Sequence, residues 1–333
     1  MGSVAVCATL ALIAAKVVGN LSAEVTSARK AVQEMGSYHM IEELGRGGMG
    51  QVWRAEHRML ARPSAIKIIR PDNLKESDAD RRRVALLRFE REARATAALT
   101  SPHTVQVFDF GLTHDGAFYY VMELLDGLDL MQIVKRHGAL PPERVVHLVR
   151  QICESLAEAH SHGLVHRDLK PNNIMACKIG GRHDFAKVLD FGLVQHTDWE
   201  KDSDAGRLTL DGALLGTPAF MPPEMAMGHT DVDARADVYA LGCLLYWLIV
   251  GRPPFLGTTA MATILMHVQE APPRVSDMVP IPPELDALVL ACMQKDAAQR
   301  PGDAGAMLEI LNEVEMEREW TEQDAKEWWA THG

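Results

Sequence analysis

The sequence predicts an α+β chain of two lobes, a small β-rich one followed by a larger helical one. Three observations carry this prediction. Short β-prone runs punctuated by Gly and polar turns fill residues 38–44, 65–69, 104–110 and 117–123. From residue 143 onward the apolar period becomes helical, with Val146, Val149, Ile152 and Leu156 on one stripe. A chain of 333 residues is long enough to bury two cores.

Composition narrows the function classes. A hydrophobic content of 47% and a charged content of 24% are those of a globular enzyme. A net charge of −11 argues against nucleic acid, whose phosphates require a basic footprint. The five cysteines, Cys7, Cys153, Cys177, Cys243 and Cys292, form no C-x-x-C pair. They read as small core residues in a reducing compartment rather than as a disulfide framework. His160, His162 and His166 cluster without a His-Glu-x-x-His pattern or a Cys partner, so no zinc is assigned.

In order along the chain, residues 4–19 are apolar except for Thr9 and Lys16. As a helix they would reach about 24 Å, short of the roughly 30 Å hydrocarbon core. With Lys16, Arg29 and Lys30 on one side, a marginal membrane anchor is favoured, which places the remainder in the cytoplasm. The alternatives for this stretch are a buried helix or a signal-like segment, and the alternative localisation is a soluble cytoplasmic chain. Residues 20–35 read as a short juxtamembrane helix, so residues 1–37 form an apolar segment with that helix. Residues 38–44 read as a strand and residues 45–55 carry Gly45-x-Gly47-x-x-Gly50-x-Val52. A dinucleotide fingerprint would need a helix after the glycines, but β-prone Val52 and Trp53 follow. Strand, glycines, strand favours a flap whose amides close over a triphosphate. Lys67 stands in an Ile-flanked strand, where it points inward and needs an anionic partner. Residues 71–80 read as a loop. Residues 81–99 form a helix with Val84, Leu87 and Ala97 toward one side, offering Glu90 and Glu92 as that partner.

After a connector at residues 124–127, helices take over. The 143–162 helix leads directly into His166-Arg167-Asp168-Leu169-Lys170-Pro171-Asn172-Asn173. An isolated His-Arg-Asp is more often a solvated turn, but His-Arg-Asp-Leu-x-x-x-Asn fixes four residue types at set offsets and is far rarer. A strand then runs into Asp190-Phe191-Gly192, followed by a Gly/Asp-rich mobile loop at 193–215. Residues 237–251 are almost wholly apolar, the buried pillar of the second lobe. Near the end, Thr321 caps a short helix that Trp320, Trp328 and Trp329 dock onto that lobe.

The order of glycine flap, strand Lys, helix Glu, His-Arg-Asp loop, Asp-Phe-Gly and Pro-Pro-Glu resembles the eukaryotic-type protein kinase catalytic domain. The resemblance covers residues 38–311, with lobes at 38–124 and 125–311 and a helical tail at 312–333. The stretches GRGGMGQV, FEREA, VMELLDG and HRDLKPNN are most similar to bacterial Ser/Thr kinases, several of which carry a membrane segment. The implied fold is the two-lobed protein kinase-like fold. The implied activity is transfer of the γ-phosphate of ATP to Ser/Thr hydroxyls of proteins, with Mg²⁺, or Mn²⁺ in its place.

Residue by residue, the resemblance implies that Lys67 holds the α- and β-phosphates and pairs with Glu92, Glu90 being the rival. It implies that Asp168 takes the substrate proton, that Lys170 neutralises the transferring group, and that Asn173 and Asp190 hold the metal. Leu44, Gly45, Gly47 and Gly50 would cover the nucleotide. Val52, Ala65 and Met175 would sandwich adenine, Met122 would be the gatekeeper, Glu123 and Leu125 the hinge contacts, and Asp129 a ribose contact. His166 and Phe191 would pack between the lobes, Glu224 would pair with Arg300, and Asp237 would anchor the catalytic loop. Lys170 together with Gly216-Thr217-Pro218 indicates Ser/Thr rather than Tyr specificity. Arg167 would dock an activation-loop phosphate, with Thr209 the phosphosite and a homodimer the route to autophosphorylation. Asp211 stands where relatives often carry a second Thr, which suggests a partly relaxed requirement. Two departures stand out: Pro222-Pro223-Glu224 replaces Ala-Pro-Glu, and Trp247 stands where relatives often have Glu, suggesting an altered surface or partner contact. The rival readings are a pseudokinase scaffold on the same fold, which typically loses one of Lys67, Asp168, Asn173 or Asp190, and a small-molecule phosphotransferase.

Overall fold

A computed structural model describes residues 34–35, 37–47, 50–69, 79–113, 116–191 and 217–333. The expected anchor at 4–19, Gly192, Thr209, Asp211 and Gly216 lie outside the described residues. The chain divides into two compact units, residues 1–72 with 108–124, and residues 73–107 with 125–333.

The first unit is one sheet in the order β1-β2-β3-β4-β6-β5. Its strands are β1 (Glu34–Met35), β2 (Tyr38–Gly47), β3 (Gly50–His57), β4 (Arg62–Ile69), β5 (Val107–Leu112) and β6 (Phe118–Glu123). Glu34 and Met35 pair with His39 and Tyr38, so the end of the expected juxtamembrane helix is instead a short edge strand. A turn already bends the chain back at Ser37, and pairing to β2 satisfies backbone groups that a frayed helix end would leave open. The core of this unit gathers Tyr38, Met40, Ala55, Ile66, Ile68 and Val121 on one sheet face.

The second unit contains α1 (Ala79–Ala97), β7 (Gly127–Asp129), α2 (Leu130–His137), α3 (Pro142–Ser161), β8 (Ile174–Ile179) and β9 (Arg182–Val188). It continues through α4 (Pro223–Ala226), α5 (Arg235–Val250), α6 (Ala260–Gln269), α7 (Pro283–Cys292), α8 (Ala304–Glu313) and α9 (Glu322–His332). Helix α1 opens at Ala79, two residues inside the expected loop. Its inward side also differs from the expectation: Leu87 is exposed and Ala97 is on the surface, whereas Phe89, Ala93 and Thr96 are buried. Spacing of i, i+4, i+7 makes one stripe of those three, and it excludes Leu87. By its packing α1 belongs with the second unit, where the Glu158 carboxylate accepts from Thr100 N, Thr100 Oγ1 and Ser101 N just beyond it. Residues 104–106, expected in a strand, contribute only a bridge from Thr104 to Val188.

The stripe Val146, Val149, Ile152 and Leu156 is fully buried, and nearly every residue of α5 is buried as well. Trp247 lies on α5 at 3% exposure with its ring edge-on to Phe220, so it is a core residue and not an altered surface. A helix covered on every side has no surface position to alter. Cys153, Cys177, Cys243 and Cys292 are buried free thiols, and burial pushes the Cys292 thiol up to about 12. Such thiols are inert.

His267 on α6 is fully buried beside the segment that begins at Thr217. Its Nδ1 meets Tyr239 Oη at 2.9 Å, and its Nε2, directed toward the Ala219 carbonyl, makes no hydrogen bond of good geometry. Burial, helped by the nearby Lys295 charge, lowers its pKa to about 3. The unfolded chain therefore takes up a proton near pH 6.5 that the folded protein refuses, and stability falls with pH across that window. Thermal unfolding should show a loss of about 2 kcal/mol between pH 6.5 and 5 that His267→Asn removes. An unchanged pH slope in the variant would refute the assignment.

Candidate active site

Each unit carries its own set of candidate residues. In the first, β2 and β3 pair through Gly45↔Val52, Arg46↔Gln51 and Gly47↔Gly50, so the glycines gather at the closing end of a hairpin. No helix follows them, which removes the dinucleotide reading. Gly50 has φ 128°, and a Cβ there would run into the Ile68 carbonyl, so glycine is required. Gly45 instead faces open space.

Lys67 lies on β4 between β3 and β6, 6% exposed, and is thus not an edge charge. Val52 stands opposite Lys67, Lys67 opposite Tyr120, and Ala65 opposite Met122. Directly opposed residues share a face, as do positions i and i+2. Val52, Ala65, Lys67 and Met122 therefore line one face, while Ile66, Ile68 and Val121 point to the core on the other. Glu123 is half-buried at the end of β6, and Leu44 is 50% exposed.

The second unit holds the loop His166–Asn173. Helix α3 ends at Ser161, Gly163 turns the chain at φ 73°, and the loop runs to a single turn at Pro171–Asn173. Asp237, in the first turn of α5 and 1% exposed, grips this loop from beneath. Its Oδ2 accepts from His166 N at 2.7 Å and its Oδ1 from Arg167 N at 2.9 Å. His160 Nε2 donates to Asp237 Oδ2 at 3.0 Å while its Nδ1 accepts from Ala304 N. Burial alone would raise the Asp237 pKa, but the His160 hydrogen bond and the neighbouring His residues outweigh it and hold the carboxyl low. The role of His160 is not legible from sequence beyond three His falling within seven residues.

His166 has no exposure, and both ring nitrogens are committed. Nδ1 accepts from Asp168 N at 3.3 Å, so Nε2 carries the hydrogen and donates to Leu189 O at 2.8 Å. Its ring lies 5.0 Å from that of Phe191. A histidine so engaged has no ring nitrogen left over to accept a proton. Arg167, at φ 63°, and Asp190, at φ 57°, both sit in left-handed backbone, strain that persists only where the surroundings enforce it.

Asp168 is the focus of the loop. Lys170 Nζ donates to its Oδ2 at 2.6 Å, and Asn173 Nδ2 donates to its main-chain oxygen at 2.8 Å and its Oδ2 at 3.1 Å. Asn173 thus turns its amide hydrogens toward Asp168 and keeps its amide oxygen as a hard donor. Together with the Asp190 carboxylate, that oxygen suits Mg²⁺ or Mn²⁺. Leu189 N donates to Asn173 O at 2.8 Å, which joins the segments bearing the two residues. Beside Asp168 and Lys170 opens a pocket also lined by Met221, Pro222 and Met225. Thr217 starts the backbone turn Thr217–Phe220 that leads into it.

Further out, Asp129 caps α2 by accepting from Gln132 N at 2.7 Å, and burial raises its pKa. It stands opposite Met175 in the β7–β8 pairing, and Leu125 lies half-buried just before β7. Glu92 is half-buried beside the stripe, three residues after Phe89 and four before Thr96, whereas half-buried Glu90 has only Ala93 at such a spacing. Glu224 Oε1 and Oε2 accept from Arg300 Nη1 at 2.7 Å and Nη2 at 2.8 Å, a bidentate ion pair.

A family model described as the protein kinase domain matches residues 38–314. The chain belongs to the protein kinase family. It is similar to the serine/threonine-protein kinase pkn3 of Myxococcus xanthus, 40% identical over 84% of this chain and 50% of the relative. It is also similar to the serine/threonine-protein kinase PknB of Mycolicibacterium smegmatis, 39% identical over 81% of this chain and 41% of the relative. This kinase domain chain therefore spans about half or less of the length of these relatives. A crystal structure of Rad53 residues 1–466 in complex with AMP-PNP shares the fold, with TM-score 0.61 and 27% identity over 82% of this chain and 64% of that one.

Proposed function

We propose that the chain is an active protein kinase that transfers the γ-phosphate of ATP to Ser and Thr hydroxyls of protein substrates. The observation that carries the reading is the Asp168 carboxylate, held by Lys170 and Asn173 in a loop whose backbone Asp237 fixes. Asp168 accepts the proton of the attacking hydroxyl, and Lys170, 2.6 Å away, offsets the charge of the phosphoryl group in transit. Lys67 takes the α- and β-phosphates, with Glu92 as its partner. Leu44, Gly45, Gly47, Gly50, Val52, Ala65, Met122, Glu123, Leu125, Asp129 and Met175 bind the nucleotide in this reading. Asn173 and Asp190 would hold Mg²⁺, or Mn²⁺, which would supply charge neutralisation at the phosphates. The pseudokinase reading loses ground because Lys67, Asp168, Asn173 and Asp190 are all retained.

The regulatory reading takes Arg167 as the dock for an activation-loop phosphate, Thr209 as the phosphosite reached by autophosphorylation within a homodimer, and Thr217 of the Gly-Thr-Pro segment as a further regulatory position. Purified protein incubated with Mg²⁺-ATP and a generic protein substrate should yield phosphoserine and phosphothreonine, with Thr209 among the modified positions. Thr209→Ala should lower self-activated turnover. Undiminished turnover in that variant removes Thr209 from control, and products lacking both phospho-residues sink the kinase reading itself.

Among the described residues no helix is long and apolar enough to cross a membrane. A membrane tether through residues 4–19 stays part of this proposal. Fractionating cells with and without residues 1–19 tests it, and a full-length chain found wholly in the soluble fraction would refute it.

A further inference from the structure

Nothing in the sequence marks Asp184 as important, yet its carboxylate on β9 accepts four hydrogen bonds. It has no exposure and sits at φ 49°, a strained backbone for a strand residue. Its Oδ2 accepts from Arg144 Nε at 2.7 Å and Trp320 Nε1 at 2.9 Å. Its Oδ1 accepts from Arg144 Nη2 at 2.8 Å and Trp329 Nε1 at 2.7 Å. Arg144, equally buried on α3, lies 3.8 Å over the Trp328 ring. The neighbouring His183 gives its N–H and its ring to the Glu322 carboxylate, and the Lys178 Nζ on β8 lies 4.9 Å over the Trp329 ring. The C-terminal helix thus grips both strands of the β8–β9 hairpin.

That hairpin carries the metal-holding pair at its open end. Asn173 immediately precedes β8, and Asp190 lies two residues beyond β9. Ile174 pairs with Val188, and Leu189 N bonds to Asn173 O. Asp184 lies at the register shift of the hairpin, and from its neighbour Phe185 the ladder runs unbroken through Cys177↔Phe185, Ala176↔Ala186, Met175↔Lys187 and Ile174↔Val188, so holding Asp184 bears on where Val188, Leu189 and Asp190 stand. We propose that α9, together with Trp320 just ahead of it, is a positioning element of the active site. Trp320 and Trp329, acting through Asp184, hold β9 in the register that sets Asn173 and Asp190 at the spacing the metal needs. The inference rests on the reading of Asn173 and Asp190 as the metal-holding residues.

The test uses the full chain with Trp320→Phe and Trp329→Phe together. The change keeps aromatic rings in place and removes both indole N–H donors. Mn²⁺ binding is titrated by electron paramagnetic resonance in the presence of AMP-PNP, alongside thermal unfolding. Partners behind metal ligands are typically worth about 10–100-fold in metal affinity, so a loss of about tenfold is expected for the more remote contact. Wild-type Mn²⁺ affinity with only a lowered melting temperature would overturn the inference, because a merely structural tail gives that result. Should the double variant fail to fold, Trp320→Phe alone, which leaves the Trp329 bond, is titrated the same way with a smaller loss expected. Asn173→Ala and Asp190→Ala separate the two levels. If neither weakens Mn²⁺ binding, the metal reading is wrong and the inference falls with it. If both weaken it while the Trp variants bind normally, only the positioning role is wrong.

Discussion

Asp168→Asn should lower phosphoryl transfer by about 10²–10⁴-fold, the range for losing a positioned general base. The substitution is nearly isosteric, and the Asn173 bond to the main-chain oxygen of residue 168 does not depend on the carboxylate. The grip of Asp237 on His166 N and Arg167 N is likewise untouched. The loop should therefore keep its shape, the melting temperature should stay near that of the parent, and AMP-PNP should bind within about twofold. The substitution removes the proton acceptor and the anion that Lys170 faces. Steady-state turnover on a protein substrate, measured beside nucleotide affinity, separates these effects. A fall of less than tenfold would show that another group accepts the proton, and the commitment of both His166 nitrogens means that group is not His166.

Whether a residue's role is legible in the sequence depends on whether its neighbours there or distant residues set it. Lys67 can be read because Ile66 and Ile68 flank it, and a charge inside an apolar strand has few places to go. The stripe on α3 and the Thr321 cap can be read because both are local patterns, and the cap forms a reciprocal pair with Asp324. The loop His166–Asn173 can be read as one unit because its residues lie within eight positions of one another. Asp184 cannot, because its partners stand 40, 136 and 145 residues away. The inward stripe of α1 is ambiguous because a charged helix with several scattered apolar residues offers more than one face. Only packing selects Phe89, Ala93 and Thr96 over Leu87. Trp247 looks like a surface position only when taken by itself. The continuous apolar run around it implies a helix covered on all sides.

Arg300→Met should destabilise the second unit by about 3–5 kcal/mol, the cost of leaving one side of a buried pair uncompensated. All five guanidinium N–H groups are used. Nε donates to Gln294 O, Nη1 to Glu224 Oε1 and Arg235 O, and Nη2 to Glu224 Oε2 and Lys295 O. The side chain of Arg300 is fully buried and that of Glu224 is 14% exposed, so solvent cannot replace what the substitution removes. For a unit of this size the loss corresponds to a fall of roughly 6–20 °C in melting temperature. Arg300→Lys should recover little, since one ammonium cannot reach three backbone carbonyls and a carboxylate at once. Pairing Arg300→Met with Glu224→Met should restore part of the loss by removing the stranded charge, a coupling that a double-mutant cycle reads directly. The effect should extend to activity, because Glu224 comes just after Met221 and Pro222, which line the pocket beside Asp168. Additive single and double variants would mean that the two side chains act independently, despite their bidentate geometry.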